Sequence, residues 1–218
     1  MTTKNESSQN TGYLELFIGP MFSGKTSKVL EIYKQCKFCN IPVIIINHSI
    51  DIRYHESMVS THDKVMAPCI QTTLLRNIWD YNDIDSHFNE TSDNHIKLRS
   101  ADVILINEGQ FFKDLYTVVE DMLKSNKRVY ICGLDSDFER KKFGQILDLI
   151  PLCDKVTKLT SLCSQCKDGT PGIFSMRLTS EKQQTLVGSD NYIPVCRKCY
   201  EIKNDNFWSI FKVFIKTI

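Results

Sequence analysis

The sequence predicts an α/β fold, with a mostly parallel sheet flanked by helices and a small metal-dependent unit after it. Three observations predict this fold. Short apolar runs of strand length alternate with segments of helical spacing. A glycine-containing turn at residues 19–26 joins the first predicted strand to the first predicted helix. After residue 160 the character changes, and two Cys-x-x-Cys pairs frame a polar stretch.

The composition indicates a globular protein with a real core. The chain has 218 residues, of which 42% are hydrophobic and 24% are charged, and its formal net charge is +1. This near-neutral charge argues against general binding to nucleic acid or to an anionic membrane. Residues 1–12 are polar, so we expect a disordered tail and no signal peptide. Because no apolar run is long enough to cross a bilayer, we expect a cytoplasmic protein.

The turn at residues 19–26 fits G-x-x-x-x-G-K-[ST], the pattern of a P-loop. Residues 13–18 before it have the character of a strand, and residues 27–37 after it have helical spacing. Such a turn aims backbone N–H groups and the positive end of a helix at phosphate. The residues predicted to bind ATP are Gly19, Pro20, Met21, Phe22, Ser23, Gly24, Lys25 and Thr26. Lys25 is expected to reach the β- and γ-phosphates, and Thr26 to hold Mg²⁺.

The remaining elements follow in order. Strands are predicted at residues 42–47, 65–70, 102–107 and 128–133, and helices at 74–81 and 115–125. Loops are predicted at 50–63 and 134–144, a helix or turn at 146–150, and a flexible polar insertion at 83–97. The predicted organisation is a P-loop NTPase-like α/β domain at 13–158, a second unit at 159–203 and an apolar tail at 204–218. Ligands of such sheets bind at the carboxyl ends of strands, so we expect Thr26, Asp51, Glu108 and Leu134 to face one site.

Acidic and basic side chains follow two of these strands. Asn107 ends one strand, at the position where an acid usually assists Mg²⁺ in P-loop enzymes, and Glu108 comes next. A carboxylate there can take the proton of an attacking hydroxyl, hold a metal-bound water, or face solvent in an ordinary turn. Asp51 can bind Mg²⁺ or a sugar hydroxyl, and Arg53 can bind phosphate. A surface ion pair between them is the alternative.

Aromatic residues lie beside the predicted loops instead of at helical core spacing. They are Phe111, Phe138, Phe143 and Tyr192. Aromatic faces stack on flat bases, although ordinary packing explains each ring equally well when it is taken alone.

The two Cys-x-x-Cys pairs predict a structural zinc site. Two thiolates of one tight turn reach a single ion, and a second such turn completes a tetrahedral set that favours Zn²⁺. The predicted ligands are Cys163, Cys166, Cys196 and Cys199, with four unrelated buried thiols as the alternative. Cys36 and Cys39 share the spacing but have no partner pair, so we interpret them as helix-end thiols and not as a redox pair.

Together these motifs resemble the type II thymidine kinase family, the cytosolic and zinc-containing kind, over residues 13–200. Residues 19–26 are similar to its G-P-M-F-[SA]-G-K-[ST], and residues 51–54 and 61–63 are similar to its D-T-R-Y and T-H-D. Residues 108–112 match E-G/A-Q-F-F. Residues 134–143 resemble L-D-G-T-F-x-R-K-P-F, and residues 158–166 resemble K-L-T-x-x-C-x-x-C.

The resemblance implies ATP-dependent phosphorylation of thymidine and deoxyuridine at the 5′-hydroxyl, for nucleotide salvage. It implies Glu108 as the base, with Lys25, Arg53 and Mg²⁺ neutralising charge on the phosphoryl group. It also places Asp51, Asn107 and Gln110 on the ATP side. A lasso loop between the cysteine pairs is implied to close over the pyrimidine. The family further implies a homotetramer inhibited by dTTP that binds neither nucleic acid nor membrane.

The nucleoside-binding residues implied by the resemblance come from the turn, the two loops and the lasso. They are Met21, Phe111, Leu134, Phe138, Phe143, Gln183, Gln184, Thr185, Leu186, Val187 and Tyr192. The sequence departs from the family pattern at Asn107, where the family has Asp, and at Ile52, Ser136, Asp137, Lys142 and Val187. Two other functions stay open at this stage. One is a P-loop ATPase whose zinc ribbon binds nucleic acid or a partner, and the other is a degenerate kinase that acts as a nucleotide sensor.

Overall fold

The computed structural model describes residues 11–50, 58–60, 65–80, 90–185 and 188–202. The helices of the main domain are α1 (Lys25–Phe38), α2 (Arg76–Trp79), α3 (Glu90–Ser100) and α4 (Leu115–Lys124). Its strands are β1 (Tyr13–Ile18), β2 (Val43–His48), β3 (Met58–Ser60), β4 (Met66–Pro68), β5 (Ile70–Thr72), β6 (Val103–Ile106), β7 (Arg128–Gly133) and β8 (Lys155–Lys158). Two 3-10 turns lie at Gly109–Phe111 and Ile146–Leu152.

Six of these strands form one parallel sheet in the order β5-β2-β6-β7-β1-β8. The short strands β3 and β4 pair separately as an antiparallel hairpin. The predicted α/β fold with a mostly parallel sheet is therefore confirmed. Because β6, β7 and β1 are neighbours at the centre, the segments that follow them emerge side by side at one edge of the sheet.

The sheet is covered on both faces, which explains why its strands are apolar at consecutive positions. On β6, Ile104 and Ile106 belong to a buried cluster that includes most of the apolar face of α4. Between them, Leu105 belongs to a second cluster with Val29 and Leu30 of α1. Alternate side chains of one strand thus pack against different helices.

A small unit follows the sheet. Its strands are β9 (Ser161–Leu162), β10 (Pro171–Gly172), β11 (Phe174–Arg177) and β12 (Tyr192–Val195), with a 3-10 turn at Ser189–Asn191. β9 pairs with β10 and β11 with β12, both antiparallel. Met176, Val195 and Tyr200 form a separate core here with Cys163 and Cys196. The unit is confirmed, while its boundary at residue 159 stays a prediction.

The prediction of a flexible insertion at 83–97 is wrong for its second half, because Glu90–Ser100 forms α3. Among the described side chains of α3 only Leu98 is buried, so the segment lacks the apolar period that reveals a helix. Tertiary contacts hold it instead: the Arg99 guanidinium lies 4.0 Å from the ring centroid of Trp79 and donates to the carbonyl oxygen of Trp79. Residues 81–89 lie outside the described residues.

Other differences from prediction are smaller. β8 was not predicted, because it is an edge strand with mostly exposed side chains and so no apolar pattern. The strand predicted at 65–70 is two short strands, and the helix predicted at 74–81 is the shorter α2. The tail at 204–218 and residues 1–10 lie outside the described residues. Among the described helices, none has both the length and the apolar character that crossing a membrane requires.

Candidate active site

The turn between β1 and α1 has a backbone shaped by its glycines. A Cβ at Gly19 would approach the carbonyl oxygen of Leu159 to 2.4 Å, so only glycine fits there. Gly24 precedes α1 in the left-handed conformation, with φ 80°. Lys25 is buried, and its Nζ donates a hydrogen bond to the carbonyl oxygen of Pro20. The ammonium group is therefore held over the turn, where an anion bound by the loop can replace the carbonyl as its partner.

Asn107 lies at the centre of a buried polar network. Its Oδ1 accepts from the Thr26 hydroxyl at 3.4 Å and from the Cys132 thiol at 2.9 Å. Its Nδ2 donates to Oδ1 of Asn47 at 2.8 Å. Asn47 and Asn107 are each 1% exposed. The network uses both the donor and the acceptor of the carboxamide, so it is matched to a neutral side chain at position 107.

Glu108 follows β6 directly and has a left-handed backbone, with φ 55° and ψ 41°. Residues other than glycine are uncommon in this region, and such strain concentrates at functional sites. The Glu108 carboxylate accepts a hydrogen bond from Nε2 of Gln110 at 2.7 Å, and Oε1 of Gln110 accepts from the Leu134 N–H at 2.9 Å. Gln110 is only 3% exposed, so its amide ties Glu108 firmly to the loop after β7.

Aromatic rings flank the turn after β6. Phe143 packs edge-on against Phe111, with 5.4 Å between ring centroids. The ring of His48 lies 5.6 Å from that of Phe111 and 4.8 Å from that of Phe112. Burial lowers the pKa of His48, and its Nδ1 accepts from the N–H of Ile50 at 3.1 Å. His48 is therefore a neutral packing residue near pH 7.

The segment that connects β11 to β12 approaches the loop after β7 at residue 184. The guanidinium of Arg177 lies 3.7 Å from the ring centroid of Phe138 and donates to Oη of Tyr192. The side chain of Gln184 donates to Oδ2 of Asp137 at 2.8 Å. The Gln184–Asp137 bond thus joins the connecting segment to the loop at 134–144, and the Arg177–Phe138 contact joins β11 to the same loop. Asp137 and Arg177 are both buried.

The C-terminal unit also contacts the turn at 19–26. The N–H of Met21 donates to the hydroxyl of Ser175 on β11 at 2.9 Å. On the other side, the Tyr200 hydroxyl donates to the carbonyl oxygen of Phe138 at 2.6 Å. The unit therefore braces both the turn at 19–26 and the loop at 134–144.

The sulfur atoms of the two Cys-x-x-Cys pairs all lie within 4.8 Å of one another. Sγ of Cys166 is 3.8 Å from that of Cys196 and 3.5 Å from that of Cys199. Tetrahedral Zn²⁺ with bonds of about 2.3 Å separates its sulfurs by about 3.8 Å, so the cluster fits this ion. Burial alone would raise the pKa of Cys163, but the backbone N–H groups of Cys166, Cys196 and Gln165 lower it to about 6. The predicted grouping of the four cysteines is confirmed.

Comparison with known proteins gives a family. The family model described as thymidine kinase matches residues 12–200. The thymidine kinase of sheeppox virus (strain KS-1) is 42% identical over 191 residues, which cover 87% of this chain and 97% of that protein. The cytosolic thymidine kinase of Bos taurus is 34% identical over 194 residues, covering 88% of this chain and 74% of that protein. The chain belongs to the thymidine kinase family. Thymidine kinase 1 of Dictyostelium discoideum is also 34% identical, over 88% of this chain and 79% of that protein.

For this thymidine kinase family member, the structure brings together most of the predicted site residues. The turn at 19–26, Asn107, Glu108 and Leu134 meet at the carboxyl ends of β1, β6 and β7. Phe138, Tyr192 and Gln184 meet beside them through Arg177 and Asp137. Asp51, Arg53, Leu186 and Val187 lie outside the described residues. The roles assigned to all these residues stay predictions.

Several contact residues were not predicted. Arg177, Ser175 and Asn47 belong to no motif, and each contacts a residue that is distant in sequence, namely Phe138, Met21 and Asn107 in that order. The available sign was a polar residue within a short apolar strand, as Asn47 is in β2 and Arg177 is at the end of β11. Gln110 was placed on the ATP side, whereas its observed partners are Glu108 and Leu134.

Cys36 and Cys39 are both free thiols, the first buried and the second exposed. Burial raises the pKa of Cys36, which makes it a poor thiolate. This supports the interpretation of helix-end thiols over a redox pair.

Proposed function

We propose that this chain transfers the γ-phosphoryl group of ATP to the 5′-hydroxyl of thymidine, and of deoxyuridine, in nucleotide salvage. The position of Glu108 carries the proposal. Its strained turn lies between the phosphate-binding turn, reached through Asn107 and Thr26, and an aromatic region around Phe111. A carboxylate between a triphosphate site and a nucleoside site is placed to take the proton of the attacking hydroxyl.

The phosphate side is built from Lys25, Thr26 and Arg53. Lys25 exchanges its bond to the Pro20 carbonyl for phosphate oxygens, and Arg53 adds a second positive charge. The Thr26 hydroxyl and Oδ1 of Asn107, 3.4 Å apart, offer the oxygen ligands that Mg²⁺ prefers, with Asp51 as a further ligand. Mg²⁺, when bound, supplies charge neutralisation between the phosphates.

The nucleoside side is built from aromatic and apolar walls. Phe111 and Phe143 form one packed pair, and Phe138 and Tyr192 both contact the Arg177 guanidinium. The segment between β11 and β12 serves as the lasso that closes over the pyrimidine. Closure excludes water, which otherwise competes with the 5′-hydroxyl for the phosphoryl group.

The remaining family properties form part of the same proposal. The four cysteines hold Zn²⁺, whose role is structural because four thiolates leave no open position. The enzyme is a cytoplasmic homotetramer that binds neither nucleic acid nor membrane. It is inhibited by dTTP, which combines the thymidine and triphosphate chemistry that the two halves of the site accept.

Transfer of radiolabelled phosphate from γ-labelled ATP to thymidine tests the proposal. Thymidine monophosphate is expected from the wild type, and Glu108→Gln is expected to abolish transfer while thymidine binding, measured by calorimetry, persists. Zinc-loaded protein that hydrolyses ATP without forming thymidine monophosphate would instead support a P-loop ATPase. Loss of thymidine binding in Glu108→Gln would assign Glu108 a structural role.

A further inference from the structure

Arg177 is a buried arginine at the end of β11, and it binds backbone carbonyl groups of the residues that follow it. It is 6% exposed. Its Nη1 donates to the carbonyl oxygens of Glu181 at 2.8 Å and Gln183 at 2.6 Å, and its Nη2 donates to that of Gln184 at 3.1 Å. Three carbonyl groups of one short stretch therefore converge on a single guanidinium. A planar fork of N–H donors can serve them at once, which a lysine ammonium cannot do with the same geometry.

The same guanidinium contacts two aromatic residues that belong to different parts of the fold. Its carbon is 3.7 Å from the ring centroid of Phe138, in the loop after β7, and 5.1 Å from that of Tyr192, on β12. Its Nη2 also donates to Oη of Tyr192. The cation–π contact holds the ring of Phe138, and the hydrogen bond holds the phenol of Tyr192, so one side chain restrains both rings.

Residues 181–184, whose carbonyl groups Arg177 binds, have few other contacts that would order them. Glu181, Gln183 and Gln184 are exposed, so they bury little apolar surface. A second tether joins the Gln184 amide to Asp137, whose other oxygen accepts from the backbone N–H groups at positions 139 and 141. Without Arg177, water can satisfy the three carbonyl groups. Its removal is therefore expected to release this stretch and leave the sheet and its core folded.

We propose that Arg177 is the positioning residue of the nucleoside site: it holds the backbone of residues 181–184 and the rings of Phe138 and Tyr192 in their binding arrangement. The inference rests on the proposed function, in which this stretch closes over the pyrimidine. The carbonyl groups of Gln183 and Gln184 accept from Arg177, so these two groups serve to hold the backbone and not to bind the base. Arg177 raises the affinity for thymidine by ordering these groups before the nucleoside binds. ATP binding depends instead on the turn at 19–26.

Three variants test this assignment. Arg177→Met retains an unbranched side chain but removes every hydrogen-bond donor of the guanidinium. Arg177→Lys retains the positive charge but loses the planar arrangement of N–H donors. Arg197→Met is the matched control, because Arg197 is an exposed arginine of the same unit whose guanidinium carbon lies 5.1 Å from the Phe174 ring centroid. The measurements are KM for thymidine, KM for ATP, kcat, zinc content, and the rate at which a lysine-specific protease cleaves after the exposed Lys182.

Arg177→Met is expected to raise KM for thymidine by roughly tenfold or more, since one charge-assisted hydrogen bond corresponds to about that factor. KM for ATP and zinc content stay at the wild-type values, and cleavage after Lys182 accelerates by at least a similar factor. Arg177→Lys gives an intermediate effect, and Arg197→Met none. An unchanged KM for thymidine together with unchanged cleavage overturns the assignment, as does an equal rise in both KM values.

If Arg177→Met does not fold, Arg177→Lys decides alone: wild-type KM and cleavage in that variant overturn the proposal. The protease experiment needs no turnover, so the two proposals fail separately. A wild type that is inactive on thymidine but shows the cleavage contrast refutes the kinase function and retains the positioning role of Arg177.

Discussion

Replacement of Gln110 by methionine tests whether its amide positions Glu108 for catalysis. Gln110→Met keeps the length of the side chain and removes both hydrogen bonds, the one to the Glu108 carboxylate at 2.7 Å and the one from the Leu134 N–H at 2.9 Å. Glu108 has a left-handed backbone, and loss of its partner frees the carboxylate to leave the geometry that proton transfer needs. We therefore expect Gln110→Met to lower turnover through Glu108, the proposed base.

The size of the effect follows from the two bonds. A hydrogen bond to a charged group contributes about 1.5–3 kcal/mol, which corresponds to a fall in kcat of roughly 10- to 100-fold. The Leu134 N–H, left without its partner in a half-buried loop, costs about 1–3 kcal/mol of unfolding free energy. For a chain of this size that lowers Tm by roughly 3–10 °C.

Gln145→Met is the matched control. Gln145 is also a partly buried glutamine whose Oε1 accepts from a backbone N–H, that of Tyr116 at 3.0 Å. Its loss should lower Tm by a comparable amount and leave kcat close to the wild-type value. The assays are steady-state kinetics with each substrate varied in turn, and thermal melts of all three proteins.

The decisive comparison is between the kcat values of Gln110→Met and Gln145→Met when both variants have lost the same stability. If Gln110→Met melts as low as Gln145→Met but turns over like the wild type, the amide has no role in positioning Glu108. If Gln145→Met loses turnover to the same extent, the effect is a general result of destabilisation and the reasoning fails.

Three further predictions concern the zinc site, the buried histidine and the neutral network. Cys163→Ser should lose bound zinc in atomic absorption and lower Tm; a wild type that melts identically and contains no zinc contradicts the four-thiolate site. His48 has a folded-state pKa below its unfolded value of about 6.5, so the stability it contributes is present above that pH and is lost as pH falls. The drop in Tm between pH 7.5 and pH 5.5 should therefore be smaller in His48→Asn than in the wild type. An equal drop in both proteins would show that protonation of His48 does not destabilise the folded state. Asn107→Asp should lower Tm without raising kcat, because a carboxylate loses the donor to Asn47; a sharp rise in turnover would favour a degenerate nucleotide sensor.

Much of the candidate site could be predicted because its motifs are local. In the turn at 19–26, Gly19 is required because the backbone passes close to the Leu159 carbonyl, and Lys25 begins α1. Both residues lie within eight consecutive positions, so a short sequence pattern includes them. The cysteine pairs are similar: each pair sits in one tight turn, and the chemistry of four thiolates leaves few alternatives. Apolar runs such as Val103–Ile106 identify strands buried on both faces for the same reason.

Elements without a local apolar period could not be predicted. α3 buries one leucine among its described side chains, and β8 lies at the sheet edge with most side chains exposed. Both are fixed by neighbours: α3 by the contact between Arg99 and Trp79, and β8 by backbone pairing with β1. Backbone pairing is independent of side-chain type, so the residue types of such a strand do not indicate that it is paired.

The sequence by itself determined that the chain has a turn with the P-loop pattern, an acid after a buried strand and four cysteines with the spacing of a metal site. Only the tertiary structure decided which of these features meet. The order β2-β6-β7-β1 brings Asn107 to Thr26, links Glu108 through Gln110 to Leu134, and joins Asn107 to Asn47 across 60 positions of chain. The contacts of Arg177 with Phe138 and Tyr192 also depend on the tertiary structure. The physical reason is that hydrophobic periods and turn geometry act over a few residues, whereas contacts between strand ends depend on sheet order, which no short stretch of sequence contains.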